Sequence, residues 1–270
     1  MRRYKLAPLC VLLLLAVVTG GCSTFKRLKA RDQLNKGVEA FRNAKFQESI
    51  EHFKSAVELD PSLINARLYL ATAYAQQYVP GGDSPENLKI GQQAIDAFQN
   101  VLKLDPKNTT ALASIGQIYY NMKNFDEAKD FQRQRIQVEP NNPEPYYWIG
   151  VIDWAQAFQA DGKVRRDLNL MNPDKRGNLP PLPEKYRAQL EQDNGKLVDE
   201  GIDALTKSLA LKPNDFNSMA YLNLLYRQKA DIEKSKDARE EDLKMADNWQ
   251  QKAMELRRST PPKTSSSQGS

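Results

Sequence analysis

The 270-residue chain is poor in the side chains that carry covalent and metal chemistry. Both of its cysteines, Cys10 and Cys22, fall before residue 23, so the body that follows has no pair for a structural disulfide. Its single histidine, His52, cannot build a His-rich metal site, and with no cysteine partner a structural zinc site is nearly excluded. We therefore expect no metal, no cofactor and no Cys–His nucleophile. Net charge is also scarce. The formal value is +5, and removing Arg2, Arg3 and Lys5, which lie in a segment expected to be cleaved off, leaves +2. A balance so close to neutral gives no footprint for nucleic acid, which demands a basic face. The remaining composition, 40% apolar and 27% charged, is that of a globular chain with material for a core.

What is present begins with a basic start (Arg2, Arg3, Lys5) and the uncharged run LAPLCVLLLLAVV at 6–18. Basic start, short apolar stretch and small residues at the exit make a secretory signal. The sequence TGGCS at 19–23 resembles the lipobox of bacterial lipoproteins. That resemblance implies removal of residues 1–21, lipid on the sulfur of Cys22, and a lipidated linker over 22–29. Two or more acyl chains would anchor stably, at about 0.8 kcal/mol per buried methylene. Lys26, Arg27, Lys29 and Arg31 follow and could add attraction to anionic headgroups, although such runs are commonly just solvated. The alternative is an uncleaved anchor, since 6–25 is uncharged and nominally long enough to span.

The rest is organised by an internal repeat. AVELDP (56–61), VLKLDP (101–106), RIQVEP (135–140) and SLALKP (208–213) end on prolines separated by 45, 34 and 73 residues. A 34-residue unit with insertions of 11 and 39 accounts for all three intervals. In the uninterrupted unit, 109–142, Ile115, Ile118 and Tyr119 form one helical stripe, Lys123-Asn124 the turn, and Phe125, Ala128, Phe131 and Ile136 a second stripe stopped by Pro140. Two helices of about thirteen residues cannot bury their faces alone, so neighbouring pairs must stack.

These units resemble the tetratricopeptide repeat, a 34-residue helix–turn–helix. The resemblance runs through units at about 30–63, 64–108, 109–142, 143–215 and 216–258. It is carried by Gly37, Phe53, Ala56 and Pro61, by Leu70, Ala71, Tyr74, Ala94 and Pro106, by Gly116, Ala128 and Pro140, by Gly150, Leu205 and Pro213, and by Leu222, Tyr226 and Ala246. Ser49 and Arg135 stand where the pattern wants a small residue. The implied fold is an all-α, right-handed solenoid of about five helix pairs, with insertions in the second, fourth and fifth units. The implied site is the inner face of the first helices: Asn65, Leu68, Thr72 and Gln76, then Gln117, Tyr120 and Asn121, then Tyr147, Val151 and Trp154, with Leu224, Arg227 and Gln228 in the fifth unit. Such a face suits a protein or peptide partner, unless Tyr147 and Trp154 pack internally instead. Leu34 and Val38 occupy the positions where some relatives carry a carboxylate clamp, so that ligand is not expected.

The insertion at 79–87 (VPGGDSPEN) reads as a loop, and without a following GK[ST] it is no phosphate loop. The long one, about 161–200, opens with Lys163, Arg165 and Arg166, passes LPPLP at 179–183 and turns helical from 184. It is either a lobe that flanks the groove or a plain variable loop. Residues 231–244 read as a solvated helix, and 259–270 as a disordered tail. Glu139, Glu144 and Asp153 read as turn or helix-surface carboxylates, so no catalytic residue is assigned. The expected function is a lipid-anchored adaptor facing the periplasm of a bacterium. Ser23 after the lipidated cysteine points to the outer rather than the inner membrane. A different class, an envelope polysaccharide or peptidoglycan enzyme hidden in the long insertion, is the alternative.

Overall fold

A computed structural model describes residues 7–259 other than 176, with side chains from residue 24 onward. The side chains of Cys10 and Cys22, the start of the signal segment and the tail at 260–270 lie outside the described residues, and so does Arg176. Ten helices and no strand occur among the described residues: α1 (Ala7–Arg42), α2 (Phe46–Leu59), α3 (Ile64–Ala75), α4 (Pro85–Leu102), α5 (Thr109–Asn121), α6 (Phe125–Val138), α7 (Pro143–Asp167), α8 (Glu184–Leu211), α9 (Phe216–Ile232) and α10 (Lys236–Ser259). They form two compact units that divide between Lys123 and Asn124, inside the third repeat.

In the first unit each helix packs on the next from α1 to α5, and α1 also touches α3, the order expected of stacked hairpins. The turns explain the boundaries. Pro61, Pro140 and Pro213 each stand two residues beyond a helix end, where a missing N–H and a fixed φ stop the preceding helix. Asn108, Asn142 and Asp215 then cap the next helix by accepting a backbone N–H. Within the first hairpin, the turn after α1 places Ala44 at φ +57° with Ala44 N–H donating to Phe41 O and Lys45 N–H to Ala40 O, a Schellman closure. Gly37 permits the closest helix approach here. A Cβ there would lie 2.5 Å from the Phe53 ring, which is wholly buried with Ile50 and Ala73.

The second unit packs α6 on α7, α7 on α8, α8 on α9 and α9 on α10, with α7 also touching α9. Gly150 repeats the role of Gly37, since a Cβ there would fall 2.4 Å from Leu205. The core joins Ala157, Leu182, Leu190, Val198, Leu205, Leu222 and Leu225, with Tyr147, Trp154 and Tyr221 packed against it.

Four expectations change. Residues 22–29 are not a separate linker, because α1 runs through them without a break. Pro85–Asn87 form the first turn of α4, with Pro85 at the position that needs no N–H and Ser84 accepting from Asn87 N, so the loop ends at residue 84. The long insertion is mostly helical: α7 continues to Asp167 and α8 starts at Glu184, leaving only 168–183 irregular. The span 231–244 is interrupted at 233–235 between α9 and α10 rather than being one helix. Arg135 is also accommodated, buried with its guanidinium on Gln132, Glu139 and Glu144. Ser49 replaces alanine at no cost in satisfaction, its hydroxyl donating to Phe46 O at 2.7 Å. Among residues described with side chains no helix is long and apolar enough to cross a membrane.

Candidate partner-binding surface

In the first unit the predicted inner-face residues are exposed or half-buried. On α3 the residues Asn65, Leu68, Thr72 and Gln76 follow spacings of three and four and so share one face. Asn65 and Gln76 are exposed and Leu68 is half-buried. Thr72 spends its proton on Leu68 O at 2.8 Å, which leaves its oxygen as an acceptor. On α5, Gln117 donates to the Asn121 carbonyl at 3.3 Å, and each amide keeps its other half for a ligand. Tyr120, beside them, is half-buried. Amides, a ring and a leucine are side chains that can bind a peptide main chain and cover one of its apolar side chains. The clamp positions in α1, Leu34 and Val38, pack on the Phe53 core.

The second unit uses the corresponding face differently. Val151 is 2% exposed and belongs to the core, so its assignment to a groove is corrected. Helix α9 packs on α7 nearby. Tyr147 and Trp154 meet Tyr221 of α9 edge-on, at ring separations of 5.8 and 5.3 Å, and Trp154 stacks on Phe158 at 5.2 Å. Both rings are packing residues of the core.

The chain's own segment at 177–183 lies against the same helices. Three arginines hold it. Arg165 donates to Pro180 O at 2.8 Å, Arg239 to Leu179 O at 3.2 Å, and Arg227 to the Asn178 side chain. Leu182 is buried in the core beside them. Arg165 is fully buried and pairs with Asp161 and Asp231 at 2.7 Å each. Burial pushes the Asp231 carboxyl up to about 6 and raises Asp161 as well, against the pull of Arg165. Between Trp154, Phe158, Leu179, Leu224, Leu243 and Arg227 a cavity of about 150 Å³ remains. Of the insertion's basic opening, Arg165 points inward to two carboxylates and the Pro180 carbonyl, while Lys163 and Arg166 are exposed.

A second buried network was equally unforeseen. Asp153, expected on a helix surface, is wholly buried, and Lys129 reaches it at 2.7 Å and Glu200 at 3.1 Å, with Arg133 on Glu200 at 2.6 Å. Burial drives Asp153 up to about 7, outweighing the lowering effect of Lys129. The i,i+4 pair Asp161/Arg165 was visible in the sequence. The partner of Asp153, Lys129, 24 residues away in the chain, was not, nor was Glu200, 71 residues from that lysine. His52 is half-buried with Nδ1 2.8 Å from the Gln33 carbonyl oxygen, an α1–α2 contact. No group of three or more His, Cys, Asp or Glu positioned for a metal occurs among the described residues.

Comparison with known proteins fits this geometry. Residues 91–150 match the tetratricopeptide repeat family. Hsp70-Hsp90 organizing protein 3 of Arabidopsis thaliana is 28% identical over 165 residues, 61% of this chain and 25% of that protein. The Hsp70-Hsp90 organizing protein of Triticum aestivum is 30% identical over 150 residues, 56% of this chain and 21% of that one. The chain thus spans about a quarter of the length of these relatives. Among solved structures, MamA 41-end from Desulfovibrio magneticus RS-1 superimposes with a TM-score of 0.56 at 19% identity, covering 86% of this chain and 97% of that one. YrrB, described as a TPR protein with an unusual peptide-binding site, gives 0.51 at 13% identity, covering 84% and 90%. The fold is an all-α solenoid of stacked helix pairs. Tetratricopeptide repeats are matched over residues 91–150, and the chain shares the fold of YrrB, a TPR protein.

Proposed function

We propose that this protein is a lipid-anchored adaptor that captures a segment of a protein partner on the inner face of α3 and α5. The observation that carries the reading is the amide-and-ring set Asn65, Thr72, Gln76, Gln117, Tyr120 and Asn121, exposed at Asn65 and Gln76 and half-buried elsewhere, whereas Tyr147 and Trp154 of α7 pack on the core. The named relatives organise other proteins, which supports a binding rather than a catalytic role. Anchoring rests on the basic start, the apolar run at 6–18 and TGGCS at 19–23, with lipid on Cys22. The corresponding location is the bacterial envelope, facing the periplasm, with Ser23 favouring the outer membrane. An uncleaved helix is the competing anchor.

Two measurements test this. Mass spectrometry of the membrane fraction should find residues 1–21 absent and Cys22 acylated; an intact Met1 with unmodified Cys22 ends the lipoprotein reading. Affinity capture from whole cells with the triple variant Gln76→Ala, Gln117→Ala, Asn121→Ala should lose at least tenfold of the partner while its helical circular dichroism is unchanged. Undiminished capture by that folded variant removes α3 and α5 as the binding face.

A further inference from the structure

We infer that the exposed turn of α1 from Phe25 to Arg31 is a second membrane contact, docking on anionic lipid headgroups beside the anchor. This rests on the anchoring proposed above. Phe25 and Leu28 are 69% and 59% exposed, and being three residues apart they share one helix face. Ala30, nearby, is wholly buried, so this stretch already belongs to the folded first unit. The occupant is specified by charge. No aspartate or glutamate occurs before Asp32, while Lys26, Arg27, Lys29 and Arg31 flank the two apolar side chains. With the seven basic residues before Asp32 set aside, the remainder carries 34 acidic against 32 basic side chains. Net positive charge is thus confined to the end that bears the apolar run. The facing groups moderate this only slightly: Asp60 of α2 lies 3.9 Å from Arg27, and Asp32 pairs with Lys36 rather than with this run.

Position supplies the rest. Because α1 is unbroken, the helical rise of 1.5 Å per residue puts Phe25 about 4.5 Å and Leu28 about 9 Å along the axis from Cys22. The interfacial layer of one leaflet is on the order of 5–8 Å deep, so an anchor at Cys22 delivers Phe25 to it directly and Leu28 once the helix is inclined toward the bilayer plane. Basic residues held near an anionic surface are attracted to it, and aromatic and leucine side chains enter the headgroup–acyl boundary. The anchor and the first repeat are then joined by a continuous helix seated on the bilayer.

The test uses the full chain, extracted from membranes and reconstituted into vesicles of phosphatidylglycerol and phosphatidylcholine, or of phosphatidylcholine alone. The photo-reactive residue p-benzoylphenylalanine replaces Phe25, Leu28 or, as a control, the exposed Glu48, which sits at the far end of the α1–α2 hairpin from Asp60. Irradiation should give lipid adducts from positions 25 and 28 and none from 48. Yields should fall at least threefold in phosphatidylcholine alone and in the Lys26→Gln, Arg27→Gln, Lys29→Gln, Arg31→Gln variant. Protein–protein adducts instead of lipid adducts at 25 and 28, or equal yields from position 48, overturn the contact. Equal yields in the two lipid mixtures overturn the role of charge. The same mass spectra report acylation of Cys22, so failure of the anchor and failure of this contact are seen separately.

Discussion

Helices α3 and α7 occupy the same place in their repeats and put it to opposite uses. At equivalent positions α3 carries Asn65, Leu68, Thr72 and Ala75, with Gln76 next, whereas α7 carries Glu144, Tyr147, Val151 and Trp154, with Ala155 next. The polar set cannot attract a covering layer, since burying its amides without partners costs on the order of 1–3 kcal/mol each. The aromatic set gains from being covered, and α9 covers it, with the segment at 177–183 pinned close by through Arg165, Arg227 and Arg239. Repeat position alone therefore does not make a binding face. Side-chain chemistry decides whether the surface is left for a partner or closed by the chain itself.

The comparison can be broken hardest at Arg165. Arg165→Ala leaves Asp161 and Asp231 buried without their cation and Pro180 O without its donor, which should cost about 4 kcal/mol in urea unfolding. A loss below about 1 kcal/mol would mean that the 177–183 segment is not held as described. Next comes Trp154→Ala, expected to cost about 3 kcal/mol through lost ring contacts with Tyr221 and Phe158. Gln76→Ala on the open face should change stability by less than about 0.5 kcal/mol.

Acidity sharpens the contrast. Asp231 and Asp161 hold protons longer in the folded chain than in the unfolded one, so their contribution to stability falls as pH rises from about 4 through about 6. The urea midpoint of the second unit's transition should therefore decline between pH 4.5 and 6.5 from this source, and Asp231→Asn should flatten that decline. The smallest effect is expected at Ala44, whose φ of +57° strains a residue with a Cβ. Ala44→Gly should stabilise the first hairpin by about 0.5 kcal/mol, and a thermal midpoint that falls instead would contradict the Schellman turn.

Much of this was legible locally. The prolines at 61, 106, 140 and 213 marked where second helices end, and Gly37 and Gly150 marked close helix approach, because both signals act over a few residues. What escaped depends on contacts far along the chain. Val151 was assigned outward from a repeat register that is silent on whether a later helix covers it. Asp153 passed for a surface carboxylate because its cation sits on α6. Arg165 passed for one member of a basic run because Asp231 and Pro180, which bury it, lie 66 and 15 residues away.

The most direct measurement of the central claim is a map of partner cross-links in living cells. Photo-reactive residues at Gln76 and Gln117 should yield partner adducts, while the same residues at Tyr147 and Trp154, in variants that remain folded, should yield none. Adducts from Tyr147 and Trp154 with none from Gln76 and Gln117 would contradict the account.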